Sequence, residues 1–290
     1  MKNVARSRTV IVDGIRTHYW EAGEGRAVVL LHSGEFGARA EFTWERTVAS
    51  LSSFYRVVAP DWLGFGETEK IVDFGAPKAR MLRHMARFLD VIDIGPAAFV
   101  GSSMGGTVLL EVLSQINPSW NAEVAVVVSG GGFVPFNAAR KALVGYNGDL
   151  EGMRAIVSNL FHDQSFAADD AYVARRHRAS IQPGSWEATA AARLRLPGAP
   201  QRDQMYGKLD ITDYEQVRVP VLLVAGAQDK LREPGYAKTI HARISGSRLK
   251  LMQGCGHMPQ LERPEEFNSA VIDFLTEVYP PTTEPIRQQR

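Results

Sequence analysis

The chain has 290 residues, 45% of them hydrophobic and 22% charged, which is enough for one large α/β domain or two small ones. The 33 basic and 32 acidic residues leave a formal net charge of +1 without a basic stripe or acidic block, which argues against nucleic acid and membrane surfaces as partners. A single cysteine, Cys255, excludes an internal disulfide and suits a reducing compartment. The polar start lacks the apolar core of a signal peptide, and the apolar runs are too short to span a bilayer. We expect a cytoplasmic protein that acts on a small-molecule substrate, with a homodimer left open.

The first half of the chain alternates strand and helix patterns. Two β-rich runs separated by Asp13-Gly14 predict a hairpin. The apolar runs 27–31 and 55–61 are typical of strands buried on both faces of a parallel sheet. Residues 43–51 and 77–89 have the apolar spacing of helices.

The second half resumes the alternation after a long interruption. Strands are predicted at 97–100, 122–128, 219–225 and 248–252, and helices at 235–244 and 264–278. Residues 133–217 are polar and helical in pattern, and no internal repeat is visible. We therefore expect an α/β protein with a mostly parallel sheet, helices on both faces and a helical lid inserted after the sixth strand. The expected units are a core (1–132 and 218–279), a lid (133–217) and a disordered tail (280–290).

A short turn, Gly101-Ser102-Ser103-Met104-Gly105-Gly106, joins an apolar strand to an apolar helix. Strand, Gly-x-Ser-x-Gly and helix together place a serine on a strained corner with its hydroxyl exposed, and glycines are needed where backbone segments approach closely. The helix N-terminus then directs N–H groups at a developing oxyanion. The alternative is a Gly/Ser turn that fits the pattern by chance. We predict that Ser103 is a nucleophile and that the N–H of Met104 is an oxyanion donor.

Two late loops supply partners for this serine. Asp229 follows one buried strand and His257 follows the next, so both lie at carboxyl ends of strands, where functional groups of open α/β sheets gather. A serine needs a histidine to accept its proton and a carboxylate to orient that histidine. Taken singly, Asp229 is equally a turn residue and His257 a loop histidine. Together and in this chain order they predict a Ser-His-Asp triad.

These motifs resemble the α/β-hydrolase superfamily from about Val10 to Val278. The resemblance rests on five motifs: Leu30-Leu31-His32, Asp61-x-x-Gly64-x-Gly66, the serine turn, Gly226-x-x-Asp229 and Gly256-His257. Within it, the chain looks most like the meta-cleavage-product hydrolases, which break C–C bonds in ring-opened aromatic catabolites. The features behind this are Ser103-Met104-Gly105-Gly106, the spacing from His32 through Gly37 to Trp44, and the stretch 178–184 with Glu187 beyond.

The chain departs from that branch at several positions. Ser33, Glu35 and Phe36 replace residues of its usual His-Gly-Gly/Ser-Gly-Pro-Gly loop. Ser102 stands where the branch usually has Asn, and Met258 where it often has Trp. Because these positions shape the pocket, Ser102 and Met258 are candidate substrate-binding residues.

The resemblance implies further site residues. It makes the N–H of Gly34 the second oxyanion donor and makes Arg176 a candidate for binding a substrate carboxylate from the lid. The alternative for Arg176 is a solvated basic face. Glu35 is expected to be a solvated loop carboxylate, or otherwise a polar group at the pocket mouth. His32 is expected to order its loop by hydrogen bonding rather than to transfer protons.

From position alone, the lid is expected to cap the site with Phe136, Met153 or Trp186 among its apolar lining. Cys255 is expected to be a small buried side chain. Without metal-ligand spacing or a phosphate loop, no metal and no cofactor are expected. The predicted function is therefore a cofactor-independent serine hydrolase of small carbonyl compounds, most specifically a C–C hydrolase of 2-hydroxy-6-oxo-dienoates. The alternatives are a carboxylesterase or lactonase with the same triad, and a ligand-binding receptor on a hydrolase fold.

Overall fold

The computed structural model describes residues 1, 4–191, 207 and 209–282. Its eight strands are β1 (Arg6–Val12), β2 (Ile15–Ala22), β3 (Ala27–Leu31), β4 (Arg56–Pro60), β5 (Ala97–Ser102), β6 (Ala122–Val128), β7 (Val221–Gly226) and β8 (Arg248–Met252). They form one sheet in the order β1-β2-β4-β3-β5-β6-β7-β8. β2 pairs antiparallel with both of its neighbours, and every other pairing is parallel. The mostly parallel α/β sheet expected from the sequence is confirmed.

Twelve α-helices are described outside the sheet. They are α1 (Ala40–Trp44), α2 (Val48–Leu51), α3 (Pro77–Val91), α4 (Met104–Leu113), α5 (Ala138–Val144), α6 (Leu150–Leu160), α7 (Ser165–Ala168), α8 (Asp170–Ser180), α9 (Ser185–Ala191), α10 (Tyr236–Arg243), α11 (Pro259–Glu262) and α12 (Pro264–Val278). The single helix predicted at 43–51 is two short helices, whereas the one predicted at 264–278 has those bounds. No helix of the described residues is long and apolar enough to cross a membrane.

Helices cover both faces of the sheet because successive strand residues point to opposite sides. In β3, Val29 and Leu31 pack into the core shared with α3, α4 and α10. Val28 and Leu30 pack into the other core, which α1, α2 and α12 complete. The continuous apolar run of this strand follows from burial on both faces.

The chain between β6 and β7 holds α5 to α9 and has its own apolar cluster. This cluster includes Met153, Ile156 and Val157 from α6 and extends to Met258 in the loop after β8. The insertion therefore packs against the site-bearing side of the core. Residues 192–206 and 208 of the predicted lid, and 283–290 of the predicted tail, lie outside the described residues.

Candidate active site

Ser103 occupies a strained turn between β5 and α4. Its backbone has φ 52° and ψ −108°, a conformation that non-glycine residues rarely adopt. The turn is held because the N–H of Ser103 donates to the carbonyl of Val128 at 2.7 Å. A Cβ on Gly101 would lie 2.6 Å from Gly105 main-chain atoms, and one on Gly105 would clash with the carbonyl of Leu31. Close backbone approach therefore requires glycine on both sides of the serine.

The structure brings Ser103, His257 and Asp229 into one hydrogen-bonded chain. The Nε2 atom of His257 lies 2.7 Å from Ser103 Oγ, and Nδ1 lies 2.6 Å from Asp229 Oδ2. The three residues come from loops after β5, β8 and β7, which end at the same edge of the sheet. With Nδ1–H donated to Asp229, Nε2 is the acceptor that faces the serine hydroxyl. This arrangement can accept the serine proton as Oγ attacks a carbonyl.

Asp229 is kept ionised by its surroundings. Burial alone would raise the pKa of its carboxyl, but the charge and hydrogen bond of His257, together with the charge of Arg232, hold that pKa below its usual value. Its Oδ1 atom also accepts the N–H of Leu231 at 2.8 Å. Asp229 is therefore a fixed acceptor for the imidazole.

Arg232 ties the loop after β6 to the loop that carries Asp229. Its Nε donates to the carbonyl of Ser129 at 3.0 Å, and its Nη1 donates to that of Gly131 at 2.8 Å. Arg232 was not among the site residues predicted from the sequence. Its position three residues after Asp229 is the one signal that could have suggested a role.

The histidine loop rests on the insertion. The N–H of His257 donates to the carbonyl of Leu160 at 2.8 Å. The carboxylate of Glu262 accepts the N–H groups of Gly256, His162 and Asp163 at 2.6, 2.8 and 2.9 Å. Sequence reasoning missed Glu262, because a carboxylate five residues after the histidine carries no motif.

Gly34 and Met104, the two expected oxyanion donors, are in contact. A Cβ on Gly34 would lie 2.6 Å from Sδ of Met104. Met104 is the first residue of α4, and the first N–H groups of a helix have no partner within it. Both residues line the same cavity as Ser103. This placement suits a pair of N–H donors beside the serine.

His32 orders the loop that carries Gly34. The ring is buried, its Nδ1 lies 2.6 Å from the carbonyl of Ser33, and its Nε2 accepts the N–H of Trp62 at 3.0 Å. Burial lowers the pKa of His32, so the neutral imidazole makes these bonds. The expectation that His32 is structural agrees with this geometry.

Asp61 explains the Asp-x-x-Gly-x-Gly motif. Its carboxylate accepts the N–H of Ala40 at 2.8 Å and that of Glu67 at 2.9 Å, and it bonds Nδ1 of His18 at 2.8 Å. A Cβ on Gly66 would clash with this carboxylate. Burial opposes ionisation, yet the His18 hydrogen bond and the nearby His32 lower the pKa of Asp61 to about 2. The motif therefore stabilises the loops beneath the site.

Glu35 and Arg176 form a buried ion pair, which corrects the expectation of a solvated Glu35 carboxylate and the alternative of a solvated basic face for Arg176. Their side chains are 4% and 2% exposed, and Arg176 Nη2 donates to Glu35 Oε1. Arg176 also bonds the hydroxyl of Tyr172 at 3.3 Å. Glu35 is therefore not a solvated carboxylate, and Arg176 does not lie on a solvated basic face. Each charge offsets part of the other's cost of burial.

A cavity of about 720 Å³ opens over Ser103. Its wall includes Ser103, His257, Gly34, Glu35 and Met104, and α5, α6 and α9 of the insertion also contribute side chains. The lining from these helices and adjacent loops is Arg140, Leu143, Leu160, Ala188, Thr189, Ala191, Leu231 and Arg232. The cavity therefore combines an apolar body with a few buried polar groups, as ligand sites do.

The three apolar side chains expected to line this cavity lie elsewhere. Phe136 is 52% exposed, with the Lys141 ammonium 5.5 Å from its ring centroid. Met153 is fully buried within the insertion, and Trp186 stacks on Phe36 at 6.0 Å between ring centroids. Met153 on α6 and Trp186 on α9 pack within the insertion, whereas Phe136 precedes α5 and is half-exposed. Smaller side chains line the cavity in their place.

The remaining predicted pocket residues lie behind the cavity wall. Ser102 is buried, and its Oγ accepts from Gln260 Nε2 at 3.2 Å and lies 4.0 Å from Met258 Sδ. Arg176, like Ser102 and Met258, is absent from the cavity lining. These residues support the wall, and direct substrate contact stays a prediction for all three. Cys255 is buried as expected, and burial raises the pKa of its thiol to about 11. Among the described residues, no group of three or more His, Cys, Asp or Glu side chains is placed to hold a metal.

Residues 28–270 match the model of the alpha/beta hydrolase family, and the chain belongs to that family. It is a hydrolase of the α/β serine hydrolase type. It is 32% identical over 270 residues to 2-hydroxy-6-oxo-6-(2'-aminophenyl)hexa-2,4-dienoic acid hydrolase of Metapseudomonas resinovorans, covering 93% of this chain and 90% of that one. It is 29% identical over 272 residues to 2-hydroxymuconate semialdehyde hydrolase of Pseudomonas sp. (strain CF600), covering 93% and 94%.

Solved structures give the same family context. The meta-cleavage product hydrolase CumD of Pseudomonas fluorescens IP01 superposes with a TM-score of 0.81 at 26% identity, covering 93% of this chain and 97% of that one. CarC, a serine hydrolase involved in carbazole degradation, superposes with a TM-score of 0.77 at 30% identity, covering 94% and 99%. The resemblance expected from the motifs is confirmed.

Proposed function

We propose that this protein hydrolyses a C–C bond in a 2-hydroxy-6-oxo-dienoate, using Ser103 as nucleophile, His257 as general base and acid, and Asp229 as its orienting carboxylate. The observation that carries this proposal is the hydrogen-bonded Ser103–His257–Asp229 chain, with contacts of 2.7 and 2.6 Å, at the wall of a cavity large enough for a ring-cleavage product. The names of the relatives support the same substrate class.

The reaction follows from the electronic structure of the substrate. Moving the proton from the 2-hydroxyl to C5 gives a 2-oxo-3-enoate. When its C5–C6 bond breaks, the electron pair left on C5 is delocalised through the 3-ene onto the 2-oxo group. Ser103 Oγ then attacks C6 while His257 Nε2 takes its proton, and the N–H groups of Gly34 and Met104 hold the oxyanion. Collapse breaks the C5–C6 bond and places its electron pair on the dienolate, which receives the proton from His257. Water, deprotonated by His257, releases the acid from Ser103.

The substrate carboxylate needs a cation, and the cavity offers two buried arginines. Arg140 of α5 donates through Nη2 to the carbonyl of Leu231 at 2.9 Å, so it lies at the same end of the cavity as Arg232. A guanidinium has five N–H donors and can hold a main-chain carbonyl and a carboxylate together. We take Arg140 as the candidate, because the contacts of Arg232 assign it to holding the loop after β6 in place.

The Arg140 assignment has a matched test. Arg140→Gln should lower kcat/KM for an acid dienoate by about 1.5–3 kcal/mol while leaving a neutral aryl ester nearly unaffected. Lys141→Gln, at an exposed neighbouring position, is the control. Equal losses on both substrates would make Arg140 structural.

The insertion is proposed to act as a lid. Side chains from α5, α6 and α9 line the cavity that holds Ser103, so these helices would exclude water from it during C–C cleavage.

One observation favours an esterase or lactonase as the second candidate. Arg176, which the resemblance made the carboxylate-binding residue, is neutralised by Glu35. A substrate without a carboxylate would not require a replacement for it.

A kinetic panel separates the two candidates. Purified protein should be assayed with phenyl-, methyl- and carboxyl-terminated 2-hydroxy-6-oxo-dienoates and with phenyl acetate and phenyl benzoate. The proposal predicts that at least one dienoate has a kcat/KM about 100-fold or more above the esters, in the range of differences that a substrate-matched site produces. Turnover of the esters alone would support the second candidate.

A further inference from the structure

Glu35 lies beside the reaction centre without belonging to the triad. It directly follows Gly34, the proposed oxyanion donor, and both residues line the cavity together with Ser103. The carbonyl oxygen of a bound ketone would point at Gly34 and Met104. The ortho substituent of an aryl ketone, separated from the carbonyl carbon by two ring atoms, could then reach the part of the cavity wall that Glu35 forms.

The Glu35 carboxylate is fixed and ionised. Burial works against its ionisation, but the charge of Arg176 and the hydroxyl of Ser33 hold the pKa of Glu35 below its usual value. The backbone of its own loop packs on α8, where a Cβ on Gly37 would lie 2.7 Å from the carbonyl of Arg176. A carboxylate accepts about four hydrogen bonds, so the one from the Arg176 guanidinium leaves the Glu35 carboxylate able to accept another from a ligand.

We propose that Glu35 is a specificity residue, an inference that rests on the proposed function. It selects ring-cleavage products that carry an amino or hydroxyl group, as hydrogen-bond donor, ortho to the reacting ketone. The carboxylate accepts a hydrogen bond from that donor, and Arg176 keeps the carboxylate in place. The same negative charge disfavours a carboxylate at this position of the substrate. Glu35 thus sets the preference on the acyl side of the scissile bond, whereas Arg140 serves the acid at the other end.

A hydrogen-bond donor at the ortho position should strengthen binding and an anion there should weaken it, and this contrast provides the test. Binding of 2'-aminoacetophenone, acetophenone and 2-acetylbenzoate should be measured by calorimetry with the Ser103→Ala variant, which needs no turnover. We expect the amino ketone to bind about ten-fold or more tightly than acetophenone, as for a hydrogen bond to a charged group, and 2-acetylbenzoate to bind more weakly.

Replacement of the carboxylate should remove both effects. Because Glu35→Gln alone leaves the buried guanidinium unpaired, the double variant Glu35→Gln/Arg176→Gln is measured as well, each in the Ser103→Ala background. The ratio between amino ketone and acetophenone should fall to about one, while 2-acetylbenzoate should gain affinity. A merely structural role would shift all three ligands in the same direction.

Kinetics with the intact triad completes the experiment. The 2'-aminophenyl and phenyl dienoates should differ in kcat/KM by the same ratio, and that ratio should collapse in the double variant. A wild-type binding ratio near one, or a ratio that the double variant leaves unchanged, would overturn the inference. Absence of dienoate turnover alongside a Glu35-dependent binding ratio would instead overturn the proposed function and leave the role of Glu35 in place.

Discussion

The N–H of His257 donates to the carbonyl of Leu160 at 2.8 Å, which joins the histidine loop to the last residue of α6 in the insertion. A Cβ on Gly256 would lie 2.8 Å from that same carbonyl, so glycine is required beside the histidine. The position of the imidazole therefore depends on the insertion as well as on the sheet. Sequence spacing gives no indication of this contact, because it joins segments about a hundred residues apart.

Glu262 should stabilise this junction. Glu262→Ala removes the acceptor of three N–H groups, those of Gly256, His162 and Asp163. We expect a loss of about 1–3 kcal/mol in the free energy of unfolding, because the buried N–H of Gly256 and the two partly buried N–H groups lose their acceptor. Urea denaturation measures it, and kcat should fall more than KM rises, because the histidine loop is displaced. Glu265→Ala, at an exposed position in α12, is the control and should change neither quantity appreciably.

The triad variants should lose activity without unfolding. Ser103→Ala, His257→Ala and Asp229→Asn are each expected to reduce kcat by about three to six orders of magnitude, and the losses should not add because the residues act as one unit. Steady-state kinetics with circular dichroism as a folding control checks this. Near-normal turnover by Ser103→Ala would remove this serine from the mechanism.

Local patterns predicted the sheet, the strained serine turn and the placement of Asp229 and His257. Each depends on short apolar runs and on residues at strand ends, which the fold brings to one edge. Side chains on the insertion were harder to place. The local sequence around Arg176 is compatible with a side chain that faces solvent, the cavity or Glu35. Only the tertiary packing of α8 decides which of these it faces. The same reason applies to Trp186 on α9, whereas Phe136 lies in the loop before α5.

Removal of one partner of the Glu35–Arg176 ion pair should lower the free energy of unfolding. Arg176→Ala leaves the Glu35 carboxylate buried without its cation, and we expect a loss of about 3–5 kcal/mol in the free energy of unfolding. Arg178→Ala, exposed on the same helix, should change it by less than about 0.5 kcal/mol. The double variant Glu35→Gln/Arg176→Gln should be more stable than Arg176→Ala, as chemical denaturation would show. Equal stability of Arg176→Ala and wild type would mean that the pair contributes nothing.

Asp61 should make stability depend on acid pH. Its pKa in the folded protein is about 2, below the ordinary 3.8, so the unfolded chain binds more protons between these values. Its contribution, about 2 kcal/mol, is therefore complete above about pH 4 and is lost as the pH falls through about 2. The gap in unfolding free energy between wild type and Asp61→Asn should narrow over that interval, as measured by urea denaturation at several pH values. A gap independent of pH would show that the ionised form is not favoured by the fold.

The most direct measurement is product analysis with 2-hydroxy-6-oxo-6-phenylhexa-2,4-dienoate, comparing the wild-type protein with Ser103→Ala. The proposed function predicts equimolar benzoate and 2-hydroxypenta-2,4-dienoate from the wild type, and a rate at least about 1,000-fold lower from the variant. Both products can be quantified by liquid chromatography with mass spectrometry. An intact dienoate after incubation with wild-type protein that hydrolyses phenyl benzoate, or equal product formation by the variant, would contradict serine-dependent C–C hydrolysis.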